Sequence, residues 1–397
     1  MLPRVFVAHP MLQHAHQMAM GLYEHGMLQA FWSGTPLLGP GERPPAWMPA
    51  AFARRLRSVT IPAALRRHAI WTHPAARTAT LLAGRRHGNE DVHRIFHAFD
   101  YWVARQISRL KPDIVVGFEN SAFHTFRAAR ELGIRCVLDA PSLHHGAADA
   151  MLGTPQTPLR KEINRRKNAE VDLADTVITC SSLAARSYLD HGTPEQKLQP
   201  MLLGAELSTH TATARQGEAC VPRFIYAGGL IPRKSIDLIL QAFENLHAQG
   251  HAFELQFVGG CQNADWLDRI DRLPGASHLP QLAQSELFAE FAKADCLLLP
   301  SRFDSFGMVV AEAMAHGVPA LVSTMTGARE IIERHPGSGW ITEPTAVAIE
   351  SSVRQLLLNP AMLAGARQQA LAASREFTWA AYRGRIAQLF MNLGATQ

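Results

Sequence analysis

The sequence predicts an α/β protein of two parallel-sheet domains. Three observations predict it: short apolar runs alternating with amphipathic stretches through both halves, a length that exceeds one core, and a polar segment between the two series. At 397 residues the chain suits two or three domains. The strand candidates are Arg4–Ala8, Ile114–Gly117, Cys136–Asp139 and Thr176–Cys180 in the first half. In the second they are Arg223–Ala227, Glu254–Val258, Cys296–Pro300 and Pro319–Ser323. Buried strands separated by helical patterns imply parallel sheets with right-handed crossovers. Ser208–Gly217 is polar and rich in small residues, without apolar periodicity, and reads as a linker. Two Rossmann-like domains facing across an interdomain cleft follow, with ligands expected beyond the carboxyl ends of the strands.

Composition removes several classes. The apolar fraction is 47% against 18% charged, which is globular rather than disordered. No uninterrupted apolar run is long enough to cross a bilayer, and the first residues carry no signal-peptide pattern, so a cytoplasmic protein is expected. Five scattered cysteines (Cys136, Cys180, Cys220, Cys261 and Cys296) form no C-x-x-C pair, which argues against zinc or disulfides. Nineteen histidines show no metal-ligand spacing, and no metal or other cofactor is expected.

Charge is uneven. Residues 1–205 hold 24 Lys+Arg and 16 Asp+Glu, a net of +8, whereas the remainder holds 15 and 18, a net of −3. Nine arginines and two glutamates lie between Pro36 and Glu90. Ala51–Arg57 and Ala63–Trp71 mix arginines with apolar and aromatic residues. They read either as short helices on an anionic membrane surface or as a solvated insertion over the first domain. No nucleic-acid module accompanies the charge.

The chemistry concentrates in Pro300–Val322, PSRFDSFGMVVAEAMAHGVPALV. An apolar run leads through a polar turn into an amphipathic helix. Asp304 lies in the turn and Glu312 eight positions on, inside the helix. Ser305, Phe306, Gly307 and Met308 offer backbone N–H groups at the helix start, where anions and chiefly phosphate are favoured. Carboxylates for hydroxyls beside amides for phosphate suit a nucleotide sugar. A second loop, Ala227-Gly228-Gly229-Leu230-Ile231-Pro232-Arg233-Lys234-Ser235, follows a strand and opens a helix from Ile236. Its glycines allow close approach to a phosphate, and Lys234 supplies charge. It nearly spells a Walker A loop, but Arg233 occupies the glycine position before the lysine and would crowd that cradle. No G-x-G-x-x-G follows any strand, against a dinucleotide oxidoreductase.

The 300–322 segment resembles the E-x7-E motif of the family 4 retaining glycosyltransferases, roughly PS-x-x-E-G-F-G-L-x-x-x-E-A-M-A-x-G-x-P. Pro300, Ser301, Phe306, Gly307, Glu312, Ala313, Met314, Ala315, Gly317 and Pro319 match; Asp304 stands for Glu and Ser305 for Gly. The Gly228–Ser235 loop resembles the family's G-R-L-x-x-x-K-G, with Gly229 in the arginine position and Ser235 for the last glycine. Ala174–Ser181, Leu203–Glu206, Thr326–Ile331 and Phe377-Thr378-Trp379 resemble further family segments.

The resemblance implies a GT-B fold: an acceptor-side domain over 1–205, a nucleotide-sugar domain over 206–379, and a last helix, 380–397, packing back on the first. It implies a retaining transfer from a nucleoside diphosphate sugar to a glycan or lipid-linked acceptor hydroxyl, in polysaccharide synthesis and without a metal. Glu312 would bind ribose hydroxyls. Lys234, with Arg233 as a substitute cation, and the Gly307–Met308 amides would face the diphosphate, and Asp304 the sugar. On the first domain, His14 reads as a donor or acceptor contact or as a helix cap. Asp139, His144 and His145 lie near the place of the family's sugar-directed histidine, and Glu119 is an acceptor-side candidate. A non-catalytic nucleotide-sugar-binding protein and a GT-B nucleotide-sugar epimerase stay open as alternatives.

Overall fold

The computed structural model describes residues 2–44, 46, 56–68, 90–206 and 221–395. It divides into two compact units: Met1–Thr179 with Ala185–Met201 and Tyr382–Gln397, and Cys180–Ala184 with Leu202–Ala381. The proposed linker, Cys220 and most of the arginine-rich segment lie outside the described residues.

The first unit is built on β1 (Val5–His9), β2 (Leu28–Ser33), β3 (Leu37–Leu38), β4 (Arg57–Ser58), β5 (Arg66–His68), β6 (Ile114–Phe118), β7 (Arg135–Ala140), β8 (Thr176–Thr179) and β9 (Leu198–Pro200). Seven of these form a sheet in the order β5-β2-β1-β6-β7-β8-β9, and every pairing in it is parallel. β1 and β6 are wholly buried, as strands covered on both faces must be. Phe6 meets Trp32 edge-on, ring centroids 5.0 Å apart, within a core that also takes Phe99, Phe126, Leu138 and Tyr188.

The arginine-rich segment is not helical where it is described. After a single 3-10 turn at Ala63–Leu65, Arg66–His68 add β5 to the sheet edge beside β2. Arg66 is buried, pairs with Glu42 at 2.6 Å and donates to the Leu37 carbonyl. Arg67 lies over the Trp32 ring. Within Ala63–Trp71, then, Arg66–His68 form an edge strand rather than the expected helix, and of the two arginines Arg66 has its charge paired inside the domain; Ala69–Trp71 lie outside the described residues.

The second unit carries β10 (Arg223–Ala227), β11 (Glu254–Val258), β12 (Ala276–Leu279), β13 (Cys296–Leu299), β14 (Ala320–Ser323) and β15 (Gly339–Thr342). They run in the order β12-β11-β10-β13-β14-β15, all parallel. Each sheet thus reverses its winding beside its first strand, at β1/β6 and at β10/β13. Crevices for ligands form at such switch points, outside the carboxyl ends of the strands. Cys136 and Cys296 sit inside strands, buried, and burial lifts the Cys136 thiol to about 12. They behave as small apolar side chains.

The helix Trp379–Ala395 leaves the second unit and groups with the first from Tyr382 onward. Arg383 pairs there with Glu24 at 2.9 Å and donates to Gln17. No described helix is long and apolar enough to cross a membrane.

Candidate functional site

At the β10/β13 switch point two loops meet. The first leaves β10 through Gly228, whose φ of +143° suits glycine, and the Tyr226 hydroxyl donates to the Gly229 carbonyl at 2.7 Å. The backbone of Gly259 lies so close that a Cβ there would stand 1.9 Å from the Gly228 carbonyl oxygen. One 3-10 turn, Pro232–Lys234, then delivers Arg233 and Lys234 to the site before the helix Ile236–Ala248 begins. The second loop leaves β13. Asp304 is pinned by its own backbone, its N–H donating to Met325 and its carbonyl accepting from Gly327, both at 2.9 Å.

These constraints bring Lys234 and Asp304 into direct contact, Nζ against Oδ2. Arg233 does not turn away: its Nη1 stands 3.9 Å from Asp304 Oδ1, and its guanidinium covers the Phe303 ring at 5.8 Å. Arg302 ties the loops together, pairing twice with Asp237 at 2.7 Å while its N–H donates to the Arg233 carbonyl. Burial draws the Lys234 ammonium below the ordinary lysine range, and the adjacent carboxylate of Asp304 opposes that shift.

The helix Met308–Ala315 starts from Gly307 in the left-handed region, φ +90°. A Cβ at Gly307 would stand 2.8 Å from Leu299 Cδ2, so only glycine fits. This turn aims the first N–H groups of the helix outward, where they lack intrahelical acceptors. Phe306 is buried, and Ser305 uses its carbonyl to accept from the Ser181 hydroxyl at 2.5 Å. The Phe306 side chain is packed away, so what that residue offers a ligand is backbone. Met308, Val309 and Glu312 are the half-exposed residues of an otherwise buried helix, which sets Glu312 on its open face. Glu330 of the Thr326–Ile331 turn accepts from the Ser182 N–H and hydroxyl, a structural role.

The first unit gathers its candidates at the ends of β1, β6 and β7. His14 caps nothing: the helix Ala15–Glu24 has no side-chain cap, and His14 Nε2 instead meets Asp139 Oδ2 at 2.8 Å, both groups buried. Asp139 is thereby a partner that orients His14. His144 is the helix cap here, its Nδ1 accepting from the Gly146 N–H at 3.1 Å. Its ring is stacked between His145 and His191, at 4.1 and 4.2 Å. Burial, reinforced by the neighbouring imidazoles, lowers His144 and His145 to about 4. Glu119 faces Lys167 at 3.1 Å and the Tyr188 hydroxyl at 3.4 Å.

Lys167, Asn120 and Tyr226 went unnoticed in the sequence. Lys167 sits in a run of charges on the helix Pro158–Leu173 that reads as a solvated face. Only the fold turns Lys167 inward, beside the buried Arg166 and Glu170 of the same helix.

Two such parallel-sheet, Rossmann-like domains make up the GT-B fold. Sucrose-phosphate synthase from Thermosynechococcus elongatus superposes with a TM-score of 0.68 over 99% of this chain and 100% of that one, at 16% identity. The structure of Anabaena HepE in complex with UDP and glucose superposes at 0.65 over the whole of both chains, at 13% identity. Residues 219–373 match the model of the glycosyl transferases group 1 family. The fold is thus that of GT-B proteins, and the similarity to the glycosyl transferases group 1 family lies in the second unit. Among relatives, a glycogen synthase of Mycobacterium tuberculosis is 25% identical over 262 residues, 63% of this chain and 62% of that protein. An O-antigen chain mannosyltransferase B of Escherichia coli is 27% identical over 247 residues, 60% of each. The chain thus spans about three fifths of the length of the relatives it matches.

Proposed function

We propose that the protein is a retaining glycosyltransferase of family 4 type, moving a sugar from a nucleoside diphosphate sugar to a hydroxyl of a glycan acceptor. The observation that carries the reading is the Lys234–Asp304 contact beside the Gly307 helix start. It sets a cation and open backbone amides for a diphosphate next to a carboxylate for sugar hydroxyls. On this reading Lys234 and the Gly307–Met308 amides stabilise charge growing on the leaving diphosphate, the electrostatic contribution that usually dominates catalysis. Arg233 adds to the same field. Glu312 accepts from the ribose hydroxyls, and Asp304 orients the transferred sugar for attack from the face the nucleotide leaves. UDP and glucose in the Anabaena neighbour support a nucleotide-sugar donor. The O-antigen mannosyltransferase among the relatives supports an acceptor in cell-surface or lipid-linked glycan synthesis.

The test is a panel of nucleoside diphosphate sugars, read both as protection against thermal unfolding and as release of the nucleoside diphosphate. Protection with release supports transfer. Protection without release would leave a binding protein or an epimerase, and neither signal from any donor would overturn the proposal.

A further inference from the structure

Asp304 owes its place to a neighbouring segment of the second unit rather than to its own loop. Its N–H donates to the Met325 carbonyl and its carbonyl accepts from the Gly327 N–H, both at 2.9 Å, so that Asp304 and Thr326 face each other as a single parallel bridge. The segment after β14 is thus the template on which the carboxylate is laid. Two hydroxyls that the donor chemistry does not use hold that template in place.

β13 ends at Leu299, where backbone carbonyls leave the ladder, and a buried carbonyl needs a donor. The Thr326 hydroxyl donates to the Leu299 carbonyl at 3.2 Å, and the Ser323 hydroxyl donates to the Ser301 carbonyl at 2.6 Å. The two hydroxyl oxygens lie 3.0 Å apart. Ser323 Oγ also accepts from the Met325 N–H at 3.2 Å, and the Met325 carbonyl is the one that Asp304 uses. A hydroxyl carries one proton, so Ser323 commits its whole donor capacity to this clamp. Both side chains are fully buried, and neither hydroxyl is open to a ligand. The Thr326 methyl is placed as closely: a Cβ at Gly307 would stand 3.1 Å from Thr326 Cγ2 and 3.6 Å from Asp304 Oδ2. One side chain therefore touches the end of β13 and lies against the Gly307 turn, beside the carboxylate that meets Lys234.

We infer that Ser323 and Thr326 are positioning residues: their hydroxyls clamp the end of β13 and so set the Asp304 carboxylate against Lys234 and the Gly307 helix start. The inference rests on the transferase reading for what the carboxylate does there, and not for how it is held. A misplacement of about 1 Å at a reacting centre costs about 10²-fold in rate. Loss of the clamp therefore acts on turnover. Nucleotide affinity, which that reading assigns to Glu312 and the helix amides, stays with the helix.

The experiment uses the full chain. Thr326→Val keeps the shape of the side chain without its hydroxyl, Ser323→Ala removes the second hydroxyl, and Thr326→Ser keeps a hydroxyl without the methyl. Both hydroxyl-free variants should lose about 10- to 100-fold in kcat for nucleoside diphosphate release, while binding UDP or GDP, whichever the wild type takes, within about twofold of wild type. Thr326→Ser should recover most of the loss. A clamp that served stability alone would lower the Tm and leave the kcat of the folded enzyme intact. A second readout needs no activity: NMR of isotopically labelled lysine follows the Lys234 ammonium, whose charge Asp304 supports against burial. With the carboxylate displaced, Lys234 should titrate at lower pH in both hydroxyl-free variants than in wild type. An unchanged kcat, a nucleotide affinity that falls with kcat, no recovery in Thr326→Ser, or an unmoved Lys234 titration overturns the inference. Should one hydroxyl-free variant fail to fold, the other decides. A wild type that releases no nucleoside diphosphate from any donor sinks the transferase reading alone, and the Lys234 titration then decides the clamp.

Discussion

Lys234→Ala separates a structural ion pair from a catalytic one. The substitution leaves Asp304, with 12% of its side chain exposed, facing only the Arg233 guanidinium at 3.9 Å. Removing one partner of a buried pair costs about 3–5 kcal/mol. Arg233 is nearby but longer-ranged and a third exposed, so the lower end, about 3 kcal/mol, is expected. For a domain the size of the second unit, at about 2–4 °C per kcal/mol, the Tm falls by about 6–12 °C. Lys234→Ala/Asp304→Ala removes both charges and should recover most of that loss, as neighbours in one pair are strongly non-additive. Turnover behaves differently. Both the single and the double variant should lose about 10²–10³ in nucleoside diphosphate release, the scale for removing one preorganised donor. Differential scanning calorimetry and a coupled release assay read the two quantities on the same preparations. A double variant that is stable and still turns over would show the pair to be a structural bridge. A single variant with unchanged Tm would show that the contact carries no stability.

Glu312→Ala should weaken nucleoside diphosphate binding by about 1.5–3 kcal/mol, or about 10- to 150-fold, with little change in Tm, since the residue lies on the open face of its helix; unchanged affinity in titration calorimetry would remove it from the site. His9 is buried, its Nδ1 accepts from the Met11 N–H at 2.8 Å, and burial followed by the nearby His14 lowers it from 6.5 to about 3. Between those values the unfolded chain holds the extra proton, so stability falls as pH falls, by about 2 kcal/mol at pH 5. His9→Asn, which keeps an acceptor but does not titrate, should flatten that part of the dependence between pH 7 and pH 5, and parallel Tm profiles for variant and wild type would refute it.

The inner strands were legible because burial on both faces writes a continuous apolar run, as in Val5–His9, Ile114–Phe118 and Cys296–Leu299. Edge strands were not. Ala276–Leu279 reads ASHL and Arg66–His68 reads RRH, both half-exposed and carrying no apolar signal of their own. Leu28–Ser33 could have been found: it is a largely buried apolar run behind Gly26, whose φ of +69° ends the preceding turn. At the site, glycines and charges adjacent in sequence, such as Gly228 and Lys234, declared themselves through spacing. Residues brought in from remote helices did not. Lys167 meets Glu119 across 48 positions, and Asp139 meets His14 across 125. No local pattern encodes such a meeting; it follows from sheet order.

Ser235 is the departure from the family loop that the structure makes most costly. It is fully buried, holds φ +61° and ψ +32°, and its Oγ has no partner among the described residues. Its carbonyl accepts from the N–H groups of Leu238 and Ile239, so the backbone cannot relax without unwinding the start of the helix. A left-handed non-glycine residue costs about 1–2 kcal/mol, and a buried unpaired hydroxyl at least about 1 kcal/mol more. Glycine would lose up to about 1 kcal/mol through unfolded-state entropy. Ser235→Gly should therefore stabilise the second domain by about 1–2 kcal/mol and raise its Tm by about 2–8 °C. Strain of this kind persists where function holds it, and the hydroxyl stands one residue from Lys234. The same variant, its turn freed by glycine, should bind a nucleoside diphosphate about 3- to 10-fold more weakly, as expected when the Lys234 side chain has to be ordered on binding. A Tm that fails to rise refutes the strain. An unchanged affinity beside a raised Tm refutes the positioning role of the strained turn and leaves Ser235 a tolerated defect in the loop.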